Sequence, residues 1–250
     1  MKISVCTDAV YMGKSLMEAV DEVKKAGIDA VEFWTWQDKD MDSLFLYKEK
    51  NGMQIAAFCT ELVSLVDKTV RQEYIEGLKR TIGAAKKVGC KCIISQTGAA
   101  LPIDRREQYN SLVDGLKACV PYLEESGIVL AVEPLNTRVD HEGYYLSRSD
   151  EAFAIMKEVN SPYVKMLFDI YHQQITEGDL IRRIQEYIPY IGHFHAAGNP
   201  GRHELYYSEI DYGKVFEAIK ATGYKGYIGL EYFPLDVQSK GMEFAKRIIS

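Results

Sequence analysis

The chain switches hydrophobic period again and again along its whole length. Short apolar runs recur as KISVC (2–6), AVEFW (30–34), MQIAAF (53–58), KCIIS (91–95), VLAVE (129–133), VKMLFD (164–169), YIGHFHA (190–196) and YIGLE (227–231). Between them lie stretches with apolar residues at helical spacing. KSLMEAVDEVKKAG ends on Gly27, placed like a C-cap, and DRREQYNSLVDGLKACVPYLEESG opens on Asp104, placed like an N-cap. RQEYIEGLKRTIGAAKKVG repeats the pattern, and shorter helices fit around 150–159, 177–188, 211–221 and 236–249. The period is most blurred in DKDMDSLFLYKEKNG. Strictly alternating strand and helix predicts a parallel sheet with right-handed crossovers. Eight such units in 250 residues, about 31 residues each, match a single-domain α/β (β/α)₈ TIM barrel over 1–250. A doubly wound sheet is the rival. It usually carries a phosphate-binding glycine loop after its first strand, and TDAVYMGKS lacks that spacing.

Charge narrows the function. Thirty Lys and Arg against 36 Asp and Glu give a net charge of -6, which argues against a nucleic-acid partner held by phosphate neutralisation. Charge arrives at Asp8, too early for a signal peptide, and no apolar run reaches membrane-span length, so a cytoplasmic protein without membrane contact is expected. The cysteines, Cys6, Cys59, Cys90, Cys92 and Cys119, are odd in number and lie in apolar patterns. They are expected to be structural, not a disulfide or metal framework.

The last polar residues of the later strands are Glu133, Asp169, His195 and Glu231, spaced 36, 26 and 36 residues apart. Each therefore belongs to a different, consecutive strand. In a barrel these strand ends share one rim, where such enzymes place their chemistry. Carboxylates that end apolar runs are costly to bury unless paired or bound to metal. Two Glu, one Asp and one His suit one divalent ion, Mn²⁺, Mg²⁺, Co²⁺ or Zn²⁺. His193 faces the same side as His195 by alternation and is expected below it, without a ligand role.

Four segments carry a family resemblance: EPLNTRVD (133–140), FDIYH (168–172), HFHAAGNPGRHE (193–204) and LEYFP (230–234). Together they resemble the hydroxypyruvate isomerase group of the xylose-isomerase-like superfamily, which also holds ketose 3-epimerases, inosose dehydratases and endonuclease IV. The resemblance implies that Glu133 and Glu231 are both metal ligands and acid/base groups. It implies that Asp169 is a ligand and that His172 and Arg202 contact substrate. At the strand-seven ligand position the hydroxypyruvate isomerases typically show Gln and the epimerase branch His; here it is His195.

The implied chemistry is proton transfer beside a carbonyl through an enediolate, as in converting hydroxypyruvate to tartronate semialdehyde. A divalent ion would stabilise the developing oxyanion while Glu133 and Glu231 move protons. Arg202 suits a substrate carboxylate or is a solvated loop charge. His203 and Glu204 either orient Arg202 or the ligands, or are ordinary loop polarity. Trp34, with Glu32 and Trp36 near it, either covers substrate or caps the barrel end, and Glu61 is a candidate rim residue. The alternatives are a ketose 3-epimerase, a lyase on a cyclic polyol, and a sugar- or acid-binding barrel without turnover. Endonuclease IV-type chemistry needs extra histidines on early strands, and none precedes His141. The expected partner is a small hydroxy-carbonyl or sugar substrate, with a homo-oligomer left open.

Overall fold

A computed structural model describes residues 1–249. The eight expected strands are all present: β1 (Lys2–Cys6), β2 (Ala30–Phe33), β3 (Gln54–Cys59), β4 (Cys92–Ser95), β5 (Val129–Val132), β6 (Val164–Asp169), β7 (Ile191–Ala196) and β8 (Tyr227–Leu230). All neighbours pair in parallel, and β8 pairs with β1, closing the barrel. Helices α1 (Thr7–Val10), α2 (Leu16–Lys25), α3 (Met41–Asn51), α4 (Arg71–Val88), α5 (Arg105–Ser126), α6 (Ser149–Val159), α7 (Ile170–Thr176), α8 (Leu180–Tyr187), α9 (Tyr212–Ala221) and α10 (Gln238–Ile249) complete the fold. Among the described residues no helix is long and apolar enough to cross a membrane.

Two helices were not foreseen. Helix α1 is a single turn, and α7 follows β6 directly, its N-terminus capped by Asp169. Both follow their strands without an intervening loop and are too short to show a helical period of their own. The blurred segment does form α3. Only Met41 and Leu44 are buried there, so no apolar stripe develops, and the ends are set by caps instead. Asp40 accepts from Ser43 N at 3.0 Å, and Gly52 closes the helix at φ 69°. Because so little packing holds α3, Asp40→Ala should cost about 1 kcal/mol, read as a lower denaturant midpoint with unchanged slope.

The sheet has two faces. The outer face joins the helices in one large core that includes Val31, Phe58, Leu130, Phe168 and Phe194. The inner face holds a smaller cluster of Ala57, Cys59, Ile94, Ala131 and Leu167, with Trp34 and Cys92 against it. Period-two alternation decides this split. The same alternation continues inward to Ser4, Glu32, His193 and Gly229, so the lumen is partly polar. All five cysteines are free; burial pushes the Cys59, Cys90 and Cys119 thiols up to about 12.

Candidate active site

Strand register brings the predicted ligands together. Asp169 pairs with His195 across β6 and β7, and His195 with Gly229 across β7 and β8. Glu133 and Glu231 lie one residue beyond their strands but keep the ladder going: Glu133 N donates to Ser95 O at 3.0 Å and Glu231 N to Ala196 O at 3.1 Å. All four side chains are more than nine-tenths buried. One ligand atom from each lies within 4.8 Å of every other. His195 Nδ1 stands 3.4 Å from Glu133 Oε1 and 3.2 Å from Glu231 Oε2. Two N or O ligands about 2.1 Å from one ion sit roughly 3.0–3.4 Å apart, so these spacings fit. The His195 ring nitrogens are buried without a well-formed hydrogen bond, which a lone imidazole rarely tolerates. Donor set, spacing and orphaned nitrogens all fit a divalent ion.

Asp169 divides its two oxygens. Oδ1 caps α7, accepting from Tyr171 N at 2.8 Å and His172 N at 3.2 Å. Oδ2 faces the cluster, 3.8 Å from Arg202 Nη2. Burial raises the Asp169 carboxyl, although Arg202 and His195 oppose it. For Glu231 burial also pushes upward, yet His195 and Arg202 win and hold it well below the usual range. Burial would lower His195, but the Glu231 and Glu32 carboxylates carry it well above its ordinary value. An ion taking Nδ1 must therefore displace a proton held at neutral pH. Metal affinity should fall on acidification by up to about tenfold per pH unit. Calorimetry in buffers of different ionisation enthalpy would show the proton released.

A cavity of about 550 Å³ opens above the cluster. Glu133, His195, Glu231, Arg202 and Trp34 line it, joined by residues that sequence reasoning did not single out, Cys59, Gln96, His141 and Tyr144. Only their place on the early strand ends and the loop after β5 could have signalled them. Arg202 contacts the Glu231 carboxylate, and its guanidinium lies between the Tyr171 and Phe233 rings, 5.4 and 5.9 Å from their centres. It is thus a paired, nearly buried charge and not a solvated one. Trp34 donates from Nε1 to Glu231 Oε1 at 2.5 Å, so it joins the site and does more than close the barrel end.

Four expected site residues lie elsewhere or act differently. Trp36 donates to Thr81 Oγ1 at 3.3 Å on the helix layer, and Glu61 pairs with Arg80 at 2.6 Å outside the cavity. The His203 and Glu204 side chains hydrogen-bond neither Arg202 nor the four clustered residues. They clasp the loop after β8: His203 Nδ1 meets Phe233 O at 2.8 Å, while Glu204 accepts from Leu235 N and Asp236 N at 2.9–3.1 Å. Their effect on Arg202 runs through the backbone, where Phe233 N donates to Arg202 O at 2.7 Å.

His172 is fully buried and lies off the cavity wall; His141, which lines the cavity, packs against it at 5.3 Å between ring centres. Its protonation is readable from Asn136. Asn136 Oδ1 accepts from Val139 N and Asp140 N, so Nδ2 is the amide end that meets His172 Nδ1 at 2.7 Å. His172 Nδ1 is therefore an acceptor and Nε2 carries the proton. Burial, then Arg202, push this imidazole down to about 3, so it stays neutral. Nε2–H is left facing Asp169 Oδ2 at 3.5 Å.

A family model described as "Xylose isomerase-like TIM barrel" matches residues 20–248. The chain belongs to that family. Hydroxypyruvate isomerase of Escherichia coli (strain K12) is 30% identical over 176 residues, 69% of this chain and 67% of that protein. The 2-oxo-tetronate isomerase of Cupriavidus necator is 43% identical over 120 residues, 48% of this chain and 46% of that protein. A crystal structure from Brucella melitensis, described as an AP endonuclease of family 2, superposes at TM-score 0.93 with 25% identity over 99% of both chains. Within the family the chain is hydroxypyruvate isomerase-like, and it is an enzyme of the isomerase or epimerase kind.

Proposed function

We propose that this enzyme moves a proton between adjacent carbons of a small 2-oxo, 3-hydroxy acid, most like hydroxypyruvate going to tartronate semialdehyde, with one divalent ion held by Glu133, Asp169, His195 and Glu231. The observation that carries this is the convergence of two flanking glutamates and Arg202 on one cavity wall. When bound, the ion supplies Lewis-acid polarisation of the substrate carbonyl and its neighbouring hydroxyl. Glu231, whose carboxylate lines the cavity, is placed to remove a proton from the hydroxymethyl carbon. Glu133 returns a proton to the former carbonyl carbon, the hydroxyl proton passes from the hydroxymethyl oxygen to the former carbonyl oxygen, and exchange with solvent resets the two carboxyls. Arg202 gives a planar, two-pronged partner for the substrate carboxylate. Trp34 and Phe233, on the wall of the same cavity, keep water from the intermediate.

His195 favours a second possibility, because the epimerase branch of the superfamily typically carries His at this position. A 3-epimerase would use the same glutamates to return the proton to the opposite face of one carbon. An endonuclease IV-type enzyme, which the description of the Brucella protein brings to mind, would need histidines at the early strand ends. Here β1 to β4 end in Cys6, Phe33, Cys59 and Ser95.

Turnover of hydroxypyruvate, four-carbon 2-oxo acids and free ketoses by protein reloaded with Mn²⁺, Mg²⁺, Co²⁺ or Zn²⁺ tests this. Arg202→Ala should lower kcat for every substrate, because Arg202 also contacts Glu231, but raise KM at least tenfold for the oxo acids only, with KM for any neutral ketose little changed. Preference for a neutral ketose, with no effect of Arg202→Ala on KM, would favour the epimerase.

A further inference from the structure

Glu32 sits on β2, across the lumen from β7, with a carboxylate that is 1% exposed. Oε2 meets His193 Nε2 at 2.8 Å, and Ser4 Oγ donates to the same oxygen at 3.4 Å. Oε1 faces His195 Nε2 at 3.4 Å, an ion-pair contact, and makes no hydrogen bond. Gly229 makes room for this approach. A Cβ there would fall 1.7 Å from Glu32 Oε1 and 2.8 Å from His195 Cδ2.

The His195 ring is therefore set between carboxylates on both sides, Glu32 at Nε2 and Glu133 with Glu231 at Nδ1. Once an ion has displaced one proton from the ring, the imidazole carries a single one. Placed on Nδ1, it would close the nitrogen that faces the cluster and leave the buried Glu32 carboxylate against a lone pair, a repulsive contact in a dry site. Placed on Nε2, it gives Glu32 a donor and frees Nδ1. We propose that Glu32 is a positioning residue for the metal centre, holding His195 in the Nε2-protonated tautomer so that Nδ1 is the ligand. This rests on the divalent-ion reading given above.

Glu32, His193 and His195 also lie close enough together to hold an ion themselves. His193 Nε2 is already engaged with Glu32, however, and only three donors are present. The arrangement is a hydrogen-bonded carboxylate–imidazole support under the site, so one ion per chain is expected.

The test is Zn²⁺ affinity by competition with a chromophoric chelator, together with two-bond ¹H–¹⁵N spectra of the histidine rings in the Zn²⁺-loaded protein. The wild type should bind one Zn²⁺, with His195 protonated at Nε2. Glu32→Gln should keep its circular dichroism and lose roughly tenfold to a hundredfold in affinity, as expected for the outer partner of a ligating histidine. A folded Glu32→Gln that binds Zn²⁺ within twofold of wild type overturns the proposal, as does a wild-type His195 protonated at Nδ1 or a second tightly bound Zn²⁺. If Glu32→Gln does not fold, the wild-type spectra alone decide the tautomer. A wild type that binds no metal at all overturns the metal reading itself, a result distinct from a variant that binds as well as wild type.

Discussion

Replacing Glu231 by Gln should remove at least 10³-fold of the turnover, with the fold intact. The substitution keeps the shape and can still accept from Trp34 Nε1, now at 2.5 Å from the carboxylate. It removes the negative charge that His195 and Arg202 hold ionised. A positioned general base contributes typically about 10²–10⁴-fold, and the proposal also makes Glu231 a ligand, so the expected loss is at the upper end of that range. Glu133→Gln should behave alike, and the double variant should be little worse than either single one, because groups that act as a unit are not additive. Steady-state turnover and circular dichroism on the three variants check this. A single variant retaining a tenth of the activity would remove that glutamate from the proton-transfer pair.

The second large effect should come from one methyl group. Gly229 pairs with His195 in the sheet, and a Cβ at this position would overlap Glu32 Oε1. Neither neighbour has room to retreat, since Glu32 and His195 are both almost wholly buried. Overpacking of a tight interior usually costs about 1–3 kcal/mol, and here it also pushes a carboxylate off its imidazole. Gly229→Ala should lower Tm by roughly 4–10 °C and weaken Zn²⁺ binding more than it weakens the fold. The comparison variant is Gly83→Ala, where nothing lies within 4 Å of the added Cβ and the helix former should be neutral or slightly stabilising. Equal Tm and equal Zn²⁺ affinity for Gly229→Ala and wild type would mean that the lumen yields more readily than its geometry implies.

Much of this was legible in the sequence, and the boundary has a physical cause. Eight strands could be read because a parallel strand buried on both faces is a continuous apolar run. The rim cluster could be read because barrel strands deliver their last residues to one end. Glu133, Asp169, His195 and Glu231 needed only that rule, and register then placed them together. What could not be read are contacts across the lumen. Glu32 and His195 are 163 positions apart and come from strands that never pair, so only barrel closure makes them neighbours. The same holds for Trp34 and Glu231, separated by 197 positions. Loop residues failed for another reason. Glu61, Trp36, His203 and Glu204 all lie near the rim in sequence, but their direction is set by local partners such as Arg80, Thr81 and the amides of 235–236. Polarity and position alone do not carry that information.

The most direct measurement is solvent deuterium uptake by hydroxypyruvate, followed by NMR in deuterated water, on chelator-stripped protein before and after one equivalent of divalent ion. The expected result is no exchange in the stripped protein, exchange at the hydroxymethyl carbon once the ion is restored, none in Glu231→Gln, and no deuterated tartronate semialdehyde from Glu133→Gln. Exchange that proceeds equally without the ion or survives in Glu231→Gln, or product formed by Glu133→Gln, would contradict a metal-supported proton transfer between these two glutamates.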